Sequence, residues 1–268
     1  MKPDKLPISV FIITLNESDR IERTIAAVTD WVTEVVVVDS GSTDDTVSKA
    51  RALGAKVFHH AWIGFGGQKR LAEDHCTQDW LLNLDSDEIV TRQLRDEILS
   101  LFDRGDPEPS GYKIKINNVY PGDQTSRPLA ADYNVVRLYH KSAGRYRDHP
   151  VFDRVVLQDY IRPKQLKHPI HHFPLLDWQQ MMEKVTRQSN SNLSSLTRKP
   201  RWLLILRLVT GFPLNFLRNY IVRRHFLGGW KGFVFALNTA YSRTMRIAKA
   251  LAEKELHGKS DAKKRNTK

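Results

Sequence analysis

The sequence predicts an α/β fold in which parallel strands alternate with helices. Apolar, β-branched runs predict strands at 8–14, 34–39, 55–59 and 80–84. The segments between these runs predict helices at 16–28, 42–53 and 66–75. Such alternation is typical of βαβ units, which place their strands side by side in a parallel sheet.

The composition limits the class of protein. The chain has 268 residues, of which 41% are hydrophobic and 27% charged, which suits one large domain or one domain with an appendage. The single cysteine, Cys76, excludes an internal disulfide framework and fits a reducing compartment. We expect neither a secretory signal nor a membrane-spanning helix, because no apolar run reaches the required length.

The net charge of +12 is concentrated in the C-terminal part of the chain. Residues 198–268 carry 17 lysines and arginines but three acids, and no Asp or Glu occurs between Glu183 and Glu253. The preceding residues are close to neutral. A segment of this charge predicts an anionic partner, with nucleic acid and membrane lipid as the main candidates.

Polar side chains follow three of the predicted strands where each strand ends. These segments are TLNE at 14–17, DSGS at 39–42 and DSDE at 85–88. Ligands of parallel α/β sheets bind at this edge. Because alternate side chains of an extended segment share a face, Asp85 and Asp87 are expected to point the same way and to hold a divalent cation. A solvated acidic turn is the alternative for this pair taken alone.

Two common phosphate-binding loops, G-x-G-x-x-G and G-x-x-x-x-G-K-[ST], are missing after the first strand. The acidic strand ends instead suit a nucleotide whose base and ribose contact carboxylates and whose phosphates contact a metal. The rest of the chain predicts helices at 91–103, 181–196, 202–217 and 232–252, strands at 111–119 and 133–140, and a disordered end at 258–268.

Three blocks, IITLNE at 12–17, VVDSGSTDDT at 37–46 and LDSDE at 84–88, resemble family-2 glycosyltransferases in sequence and spacing. The nearest subgroup is the bacterial lipopolysaccharide-core β-glucosyltransferases, to which YIVRRHFLGG at 220–229 is also similar. The resemblance implies the GT-A fold, a Rossmann-like mixed α/β sheet, with a C-terminal helical, basic, membrane-facing extension. The expected domains are a catalytic domain at 1–197, with a nucleotide-sugar half at 7–92 and an acceptor half at 93–197, and a basic amphipathic helical extension at 198–257.

The resemblance also implies donor-binding residues. Asp39 would bind the uracil or ribose of a UDP-sugar, and Thr14, Asn16 and Glu17 would line the same pocket. Three further polar side chains match a helix near the nucleotide in the family, with a solvated helix face as their alternative role: Gln68, Lys69 and Arg70.

The metal assignment rests on the same resemblance. Asp85 would lie near the ribose and the metal, Asp87 would coordinate Mg²⁺ or Mn²⁺ on the diphosphate, and His172 would complete the metal shell. A histidine that only packs or caps a loop is the alternative for His172. Arg137 would contact phosphate or pair with an acid, and the structural role is favoured.

An inverting transfer needs a base for the acceptor hydroxyl. The subgroup has V-H-E where this chain has Val151, Phe152 and Asp153, so the acid is retained and the histidine is replaced. Asp153 is the favoured base, and Asp148, which lies beside His149, is the alternative.

The apolar-basic segment at 202–217 predicts interfacial helices, with aromatic rings at headgroup depth and basic side chains facing anionic lipid. A helical subdomain with a solvated basic face is the alternative. Nucleic-acid binding is not expected, because it does not explain the density of Leu, Phe and Trp and no nucleic-acid module is recognised.

Together with the resemblance, these observations predict an inverting, metal-dependent transferase that moves a hexose from a UDP-sugar, with glucose from UDP-glucose favoured, to a lipid-linked saccharide such as the lipopolysaccharide inner core. It would be peripheral on the cytoplasmic face of the bacterial inner membrane. One rival is a nucleotidyltransferase, which would need a basic Gly-rich N-terminal loop that this chain lacks. The other is a membrane-associated scaffold with an inactive transferase domain, against which the intact acids argue.

Overall fold

A computed structural model describes residues 5–130, 132–150, 153–190 and 196–265 of the chain. The chain divides into two compact units. Unit 1 comprises Met1–Asn118 and Ala131–Pro174, and unit 2 comprises Val119–Ala130 and Leu175–Lys268. The division after residue 174 differs from the boundary predicted at 197, because the helix before residue 197 groups with the C-terminal helices.

Unit 1 contains the alternating strands and helices that the sequence predicts. Its strands are β1 (Leu6–Thr14), β2 (Val32–Asp39), β3 (Lys56–His59), β4 (Trp80–Asp85), β5 (Glu88–Val90), β6 (Gly111–Asn118), β7 (Tyr133–His140), β8 (Gly144–Tyr146), β9 (Val155–Leu157), β10 (Lys164–Gln165) and β11 (Ile170–His172). Its helices are α1 (Ile21–Ala26), α2 (Thr46–Ala52), α3 (Phe65–His75) and α4 (Arg92–Leu101). Helix α1 is shorter than the predicted 16–28, because the residues after β1 form a loop in which Asn16 has a φ of 54°.

Nine of the described strands form one mixed sheet in the order β3-β2-β1-β4-β7-β6-β11-β5, with β10 paired to β6. The four strands β3, β2, β1 and β4 are parallel, and β7 is antiparallel to both neighbours. Thr14 lies opposite Asp39, and Ile13 lies opposite Asp85. The polar ends of β1, β2 and β4 therefore meet at one edge, as the sequence predicts.

Helices cover both faces of the sheet, which explains why its central strands are mostly apolar. On one face, Ile12 belongs to a buried cluster with Ile25 of α1 and Leu94 of α4. On the other face, Phe11 clusters with Ala72 of α3 and with Tyr146. Burying a large apolar side chain contributes about 1.5–3 kcal/mol, so these two layers fix the strand ends in place.

Glu34 links three strands of the sheet. It is 7% exposed, and its carboxylate accepts hydrogen bonds from Ser9 of β1 at 2.5 Å, from Lys56 of β3 at 2.9 Å and from Thr77. Although burial raises it, these hydrogen bonds lower the pKa of Glu34 to about 2, against 4.5 for a free glutamate. The ionised Glu34 carboxylate therefore stabilises the folded state fully above pH 4.5, and this contribution is lost as the pH falls toward 2.

We expect Glu34→Gln to lower the free energy of unfolding at pH 7 by about 1–3 kcal/mol, because it removes a buried charge from a network of donors. The difference from wild type should narrow at acid pH, where the wild-type carboxylate is protonated on unfolding. Urea denaturation at pH 7 and at pH values below 4.5 measures both effects. Glu108→Gln, at an exposed position, is the control. If Glu34→Gln lowered the free energy of unfolding by the same amount at every pH in this range, the lowered pKa of Glu34 would be contradicted.

The regular secondary structure in the described part of unit 2 is helical. Its elements are α5 (Trp178–Asn190), α6 (Arg201–Leu217), a π-helical turn (Arg218–Val222), a 3₁₀ turn (His225–Gly228) and α7 (Gly229–Arg265). Helix α7 continues to Arg265, where the sequence predicts a disordered end from residue 258, since Lys and Ala in this stretch are good helix formers. Residues 266–268 and 191–195 of the predicted elements lie outside the described residues. Among the described helices, none is both long enough and apolar enough to span a membrane.

Candidate functional site

The loop after β2 is organised by Asp39. Its Oδ2 accepts hydrogen bonds from the backbone N–H groups of Gly41 and Ser42, both at 2.9 Å, and its Oδ1 accepts one from Ser42 Oγ at 2.5 Å. Gly41 has a φ of 103°, a conformation that favours glycine. The Asp39 side chain is 4% exposed at the sheet edge. Asp39 therefore lies at the edge where the strand ends meet, and its carboxylate is held by its own loop.

The residues after β1 are tied to this loop. The Asn16 N–H donates to Ser42 Oγ at 2.8 Å, and Asn16 Oδ1 accepts from the Thr43 N–H at 2.8 Å. Thr14 Oγ1 is buried and has no hydrogen-bond partner within the described structure, which is unusual for a buried hydroxyl. Burial raises the pKa of Glu17, which lies on the same loop. Thr14, Asn16, Glu17 and Asp39 are thus close together, as predicted.

Asp85 and Asp87 do not point the same way, in contrast to the sequence-based expectation. Asp85 Oδ1 accepts from Lys69 Nζ at 2.8 Å and Oδ2 accepts from Arg137 Nη2 at 2.9 Å. Asp87 Oδ2 instead lies 3.1 Å from His172 Nε2 and 3.6 Å from Arg20 Nη1. The alternation of side chains stops because β4 ends at Asp85 and residues 86 and 87 form a turn.

Lys69 connects Asp85 and Asp153, for which the resemblance implies different roles. Its Nζ donates to Asp85 Oδ1 at 2.8 Å and to Asp153 Oδ2 at 2.6 Å, and its side chain is 1% exposed. Burial alone would lower the pKa of Lys69, but the neighbouring carboxylates raise it, so this lysine is charged. Lys69 therefore binds protein carboxylates and does not lie on a solvated helix face.

Arg137 lies at the centre of a buried polar network. Its guanidinium donates to Glu88 Oε1 at 2.7 Å and to Asn83 Oδ1, and Tyr146 Oη donates to the same Asn83 oxygen at 2.7 Å. Burial opposes ionisation of Asp85, but Arg137 and Lys69 hold its pKa well below the usual range. Burial and the neighbouring Asp85 charge raise the pKa of Glu88 to about 7. Arg137 thus pairs with acids, as favoured from the sequence.

Asp87, His172 and Asn118 form an arrangement suited to a divalent cation. Asn118 Oδ1 lies 2.7 Å from His172 Nδ1, so this ring nitrogen carries the proton and Nε2 faces Asp87. Burial lowers the pKa of His172, but the hydrogen bond to Asp87 outweighs it and raises the value. A metal would take the place of the proton between the two side chains. Because Asp85 binds two cationic side chains, its predicted metal contact gains no support from this geometry.

No group of three carboxylate, imidazole or thiol side chains converges as a closed metal site in the described part of the chain. Asp87 and His172 offer one oxygen and one nitrogen ligand, which would leave the other coordination positions to phosphate oxygens and water. This open arrangement is the one in which Mg²⁺ is usually held beside a substrate phosphate.

The two remaining helix residues have different surroundings. Gln68 is fully buried, and its Nε2 donates to Ser40 Oγ and to the His60 carbonyl, both at 3.1 Å, so it supports the loop of Asp39. Arg70 Nη1 donates to the backbone carbonyl of Tyr146 at 3.3 Å. Gln68 is therefore adjacent to the strand-end cluster, whereas the Arg70 contact joins α3 to β8.

The two candidate bases differ in what they contact. Asp153 is bound to Lys69 and, through it, to Asp85, and its side chain is 37% exposed. Asp148 is exposed, and its Oδ1 would lie 3.5 Å from a methyl group built on Gly67. The structure thus brings Asp153 into the same network as the strand-end acids. Residues 151 and 152, where the motif departs from the subgroup, lie outside the described residues.

Sequence reasoning missed Arg20, Asn83, Asn118 and the position of Lys69 between two acids. Asn83 interrupts the apolar strand 80–84, and a polar residue inside such a run is the signal of a buried contact. Arg20 and Asn118 lie in polar stretches that give no comparable signal. Their roles depend on contacts between segments far apart in the chain, which no local pattern reports.

The family model of glycosyl transferase family 2 matches residues 9–161. An uncharacterized glycosyltransferase of Rickettsia typhi is 37% identical over 252 residues, which cover 90% of this chain and 86% of the relative. The lipopolysaccharide core biosynthesis glycosyltransferase LpsC of Rhizobium meliloti is 27% identical over 254 residues, which cover 91% of this chain and 92% of LpsC.

The glucosyl-3-phosphoglycerate synthase of Mycobacterium tuberculosis in complex with Mg²⁺ and uridine-diphosphate is 29% identical, covers 44% of each chain and has a TM-score of 0.32.

The predicted family and enzyme class are confirmed by these matches, and the predicted fold is confirmed as a mixed α/β sheet of the GT-A type. The family model spans more than half of the chain, and the Rickettsia relative is similar over nearly its whole length. The enzyme is a glycosyltransferase that transfers a sugar, and the chain belongs to glycosyl transferase family 2.

Proposed function

We propose that the enzyme is an inverting, metal-dependent transferase that moves a hexose from a UDP-sugar to a saccharide carried on a lipid, such as the lipopolysaccharide inner core. UDP-glucose is the donor to test first. The observation that supports this proposal is the placement of Asp87 Oδ2 3.1 Å from His172 Nε2, next to the sheet edge that holds Thr14 and Asp39.

The donor nucleoside would bind at the ends of β1 and β2. Asp39 is a carboxylate acceptor for a uracil N–H or a ribose hydroxyl, and its loop hydrogen bonds fix it before the donor arrives. The unpartnered Thr14 Oγ1 supplies a second polar contact at the same edge. Preorganised contacts of this kind reduce the cost of ordering the site on binding.

Asp87 and His172 would hold Mg²⁺ or Mn²⁺ against the donor diphosphate. When bound, the cation neutralises the charge that develops on the departing diphosphate. Asn118 keeps the imidazole in the tautomer that presents Nε2. Arg20, 3.6 Å from Asp87, adds a fixed positive charge beside the same acid.

Asp153 would accept the proton of the acceptor hydroxyl. Lys69 restrains its carboxylate at 2.6 Å while leaving the side chain partly exposed to an incoming acceptor. The same lysine holds Asp85, so the base and the end of β4 are positioned by one buried cation. Restraining a general base in this way lowers the entropy that the reaction must lose.

The acceptor proposal draws on the similarity to LpsC, a glycosyltransferase of lipopolysaccharide core biosynthesis, and on the surface of unit 2. Large apolar side chains of unit 2 are exposed beside basic ones, Trp202 at 66% and Trp230 at 64% among them. A peripheral position on an anionic membrane, at the cytoplasmic face of the bacterial inner membrane, would bring the enzyme to a lipid-linked substrate. Nucleic acid has no part in this proposal.

A calorimetric titration tests the metal-dependent binding of UDP, the first step of the proposed reaction. We expect UDP to bind in the presence of Mn²⁺. Its affinity should fall about tenfold or more when EDTA removes the metal, because the diphosphate then loses the cation that neutralises its charge. CDP is the control for base recognition and should bind more weakly. A protein that binds no nucleotide would be a scaffold. A donor screen with extracted lipid acceptors, read by product mass, then identifies the sugar.

A further inference from the structure

The connection between α6 and α7 combines rare backbone conformations with a run of arginines. Helix α6 passes into a π-helical turn at Arg218, and Arg224 has a left-handed backbone with a φ of 58°. Both features are uncommon and cluster at functional sites. Sugar transfer, as proposed above, assigns no role to this connection.

Two asparagines of α6 and the π-helical turn position arginines from both sides of the connection. Asn215 Oδ1 accepts from Arg243 Nη1 of α7 at 2.9 Å, and Asn219 Oδ1 accepts from Arg223 Nη1 at 3.5 Å. Asn219 is 3% exposed, and its Nδ2 donates to the Asn215 carbonyl at 2.7 Å. Neutral amides hold the guanidinium groups in place without neutralising their charge.

The arginines lie close enough to repel one another. Burial, and then the charges of Arg218, Arg223 and Arg246, lower the pKa of Arg243. No acid contributes to that shift. Arg218, Arg223 and Arg243 are nevertheless exposed, so the cluster is accessible to a ligand from solvent.

Two carboxylates of unit 2 bind basic side chains outside this group of arginines. Asp123 binds Lys231 at 2.5 Å, and Glu255 binds Arg201 at 2.7 Å. The sequence contains no acid between Glu183 and Glu253. A concentration of exposed arginines held by neutral amides is expected to attract an external anion.

We propose that Arg218, Arg223 and Arg243 form a binding site for the phosphate groups of lipids. Guanidinium groups bind phosphate through paired N–H donors, which makes arginine well suited to this ligand. The apolar side chains beside the site favour a lipid over a nucleic acid, because they are exposed and suit the bilayer interface. They are Leu214 at 63%, Leu217 at 47%, Ile221 at 54% and Val222 at 74% exposure.

The proposal deepens the membrane-surface role given above and rests on it for the source of the phosphate. Its test uses the full chain and two variants that lose the same charge. Arg218→Gln/Arg243→Gln removes two members of the cluster, and Arg198→Gln/Arg207→Gln removes two other exposed arginines of unit 2. Flotation with phosphatidylcholine vesicles, with and without phosphatidylglycerol, measures binding. Calorimetry with UDP and Mn²⁺ on the same proteins shows separately whether the nucleotide site is intact.

We expect wild type to bind the phosphatidylglycerol vesicles and the cluster variant to bind them about tenfold more weakly or worse, with less than about a threefold loss in the control variant. Equal losses in both variants would show a diffuse charge effect and overturn the site. Equal, cluster-dependent binding to vesicles charged by oleate would overturn the preference for phosphate. Cluster-dependent binding to a DNA duplex in preference to vesicles would overturn the lipid assignment.

A second arm separates the two sources of lipid phosphate. Phosphatidylcholine vesicles that contain monophosphoryl lipid A present phosphate only on a sugar. Cluster-dependent binding to these vesicles supports a site that reads the phosphate of a glycolipid. Binding restricted to phosphatidylglycerol supports a site for bilayer phospholipid.

Discussion

Replacing Asp153 by asparagine is expected to lower kcat for transfer by a factor of about 10²–10⁴, the range associated with loss of a general base. Asparagine keeps the size of the side chain and an oxygen that Lys69 Nζ can still bind, whereas it cannot accept the hydroxyl proton. The affinity for UDP should change little, because the substitution leaves the ends of β1 and β2 untouched. Transfer from UDP-glucose to an extracted lipid-linked saccharide measures kcat, and calorimetry measures the UDP affinity.

Asp148→Asn is the matched control for this prediction. Asp148 is exposed and belongs to the loop that crosses the start of α3, where the His149 carbonyl accepts from the Gly66 N–H at 3.0 Å. We expect its variant to keep kcat within about threefold of wild type, as a surface substitution usually does. A large loss in Asp148→Asn with near-normal turnover in Asp153→Asn would reverse the assignment of the base. Near-normal turnover in both would exclude both acids.

The parts of the site that sequence predicts well are those set by strand order. Thr14 and Asp39 follow β-branched runs that have no plausible alternative to a buried strand, and parallel pairing then brings their ends together. The prediction that the side chains of Asp85 and Asp87 share a face is wrong. Side chains alternate between faces only while the chain stays extended, and β4 ends at Asp85.

The position of Lys69 shows a different limit. The segment QKR at 68–70 has the composition of a solvated helix face, yet Gln68 and Lys69 are fully buried. Burial of a lysine is tolerated only with partners, and those partners, Asp85 and Asp153, lie 16 and 84 residues away in sequence. Local periodicity contains no information about such partners. The same reason explains the boundary before α5, whose Trp178 packs on Trp230 of α7 at 5.5 Å between ring centroids.

Asp87→Asn is expected to reduce transfer by a factor of about 10³, the cost of removing an electrostatic contact that stabilises a developing charge. The metal-dependent part of UDP binding should disappear, so that affinity with Mn²⁺ falls to the value measured in EDTA. Folding should be retained, because Asp87 is not part of the Lys69 network. The Asp87 side chain is 17% exposed and contacts His172 and Arg20. Transfer assays, UDP calorimetry and thermal unfolding measure the three effects.

Two comparisons make this prediction specific to Asp87. Asp45→Asn removes an exposed acid from the loop between β2 and α2. This variant should keep the metal dependence of UDP binding and the turnover of wild type. Asp85→Asn should instead lower thermal stability, because it leaves the buried side chains of Lys69 and Arg137 with one fewer counter-charge. If metal-dependent UDP binding survived in Asp87→Asn and were lost in Asp85→Asn, the cation would be held by the acid that ends β4. The pairing of Asp85 with two buried cations, each within 2.9 Å, argues against that result.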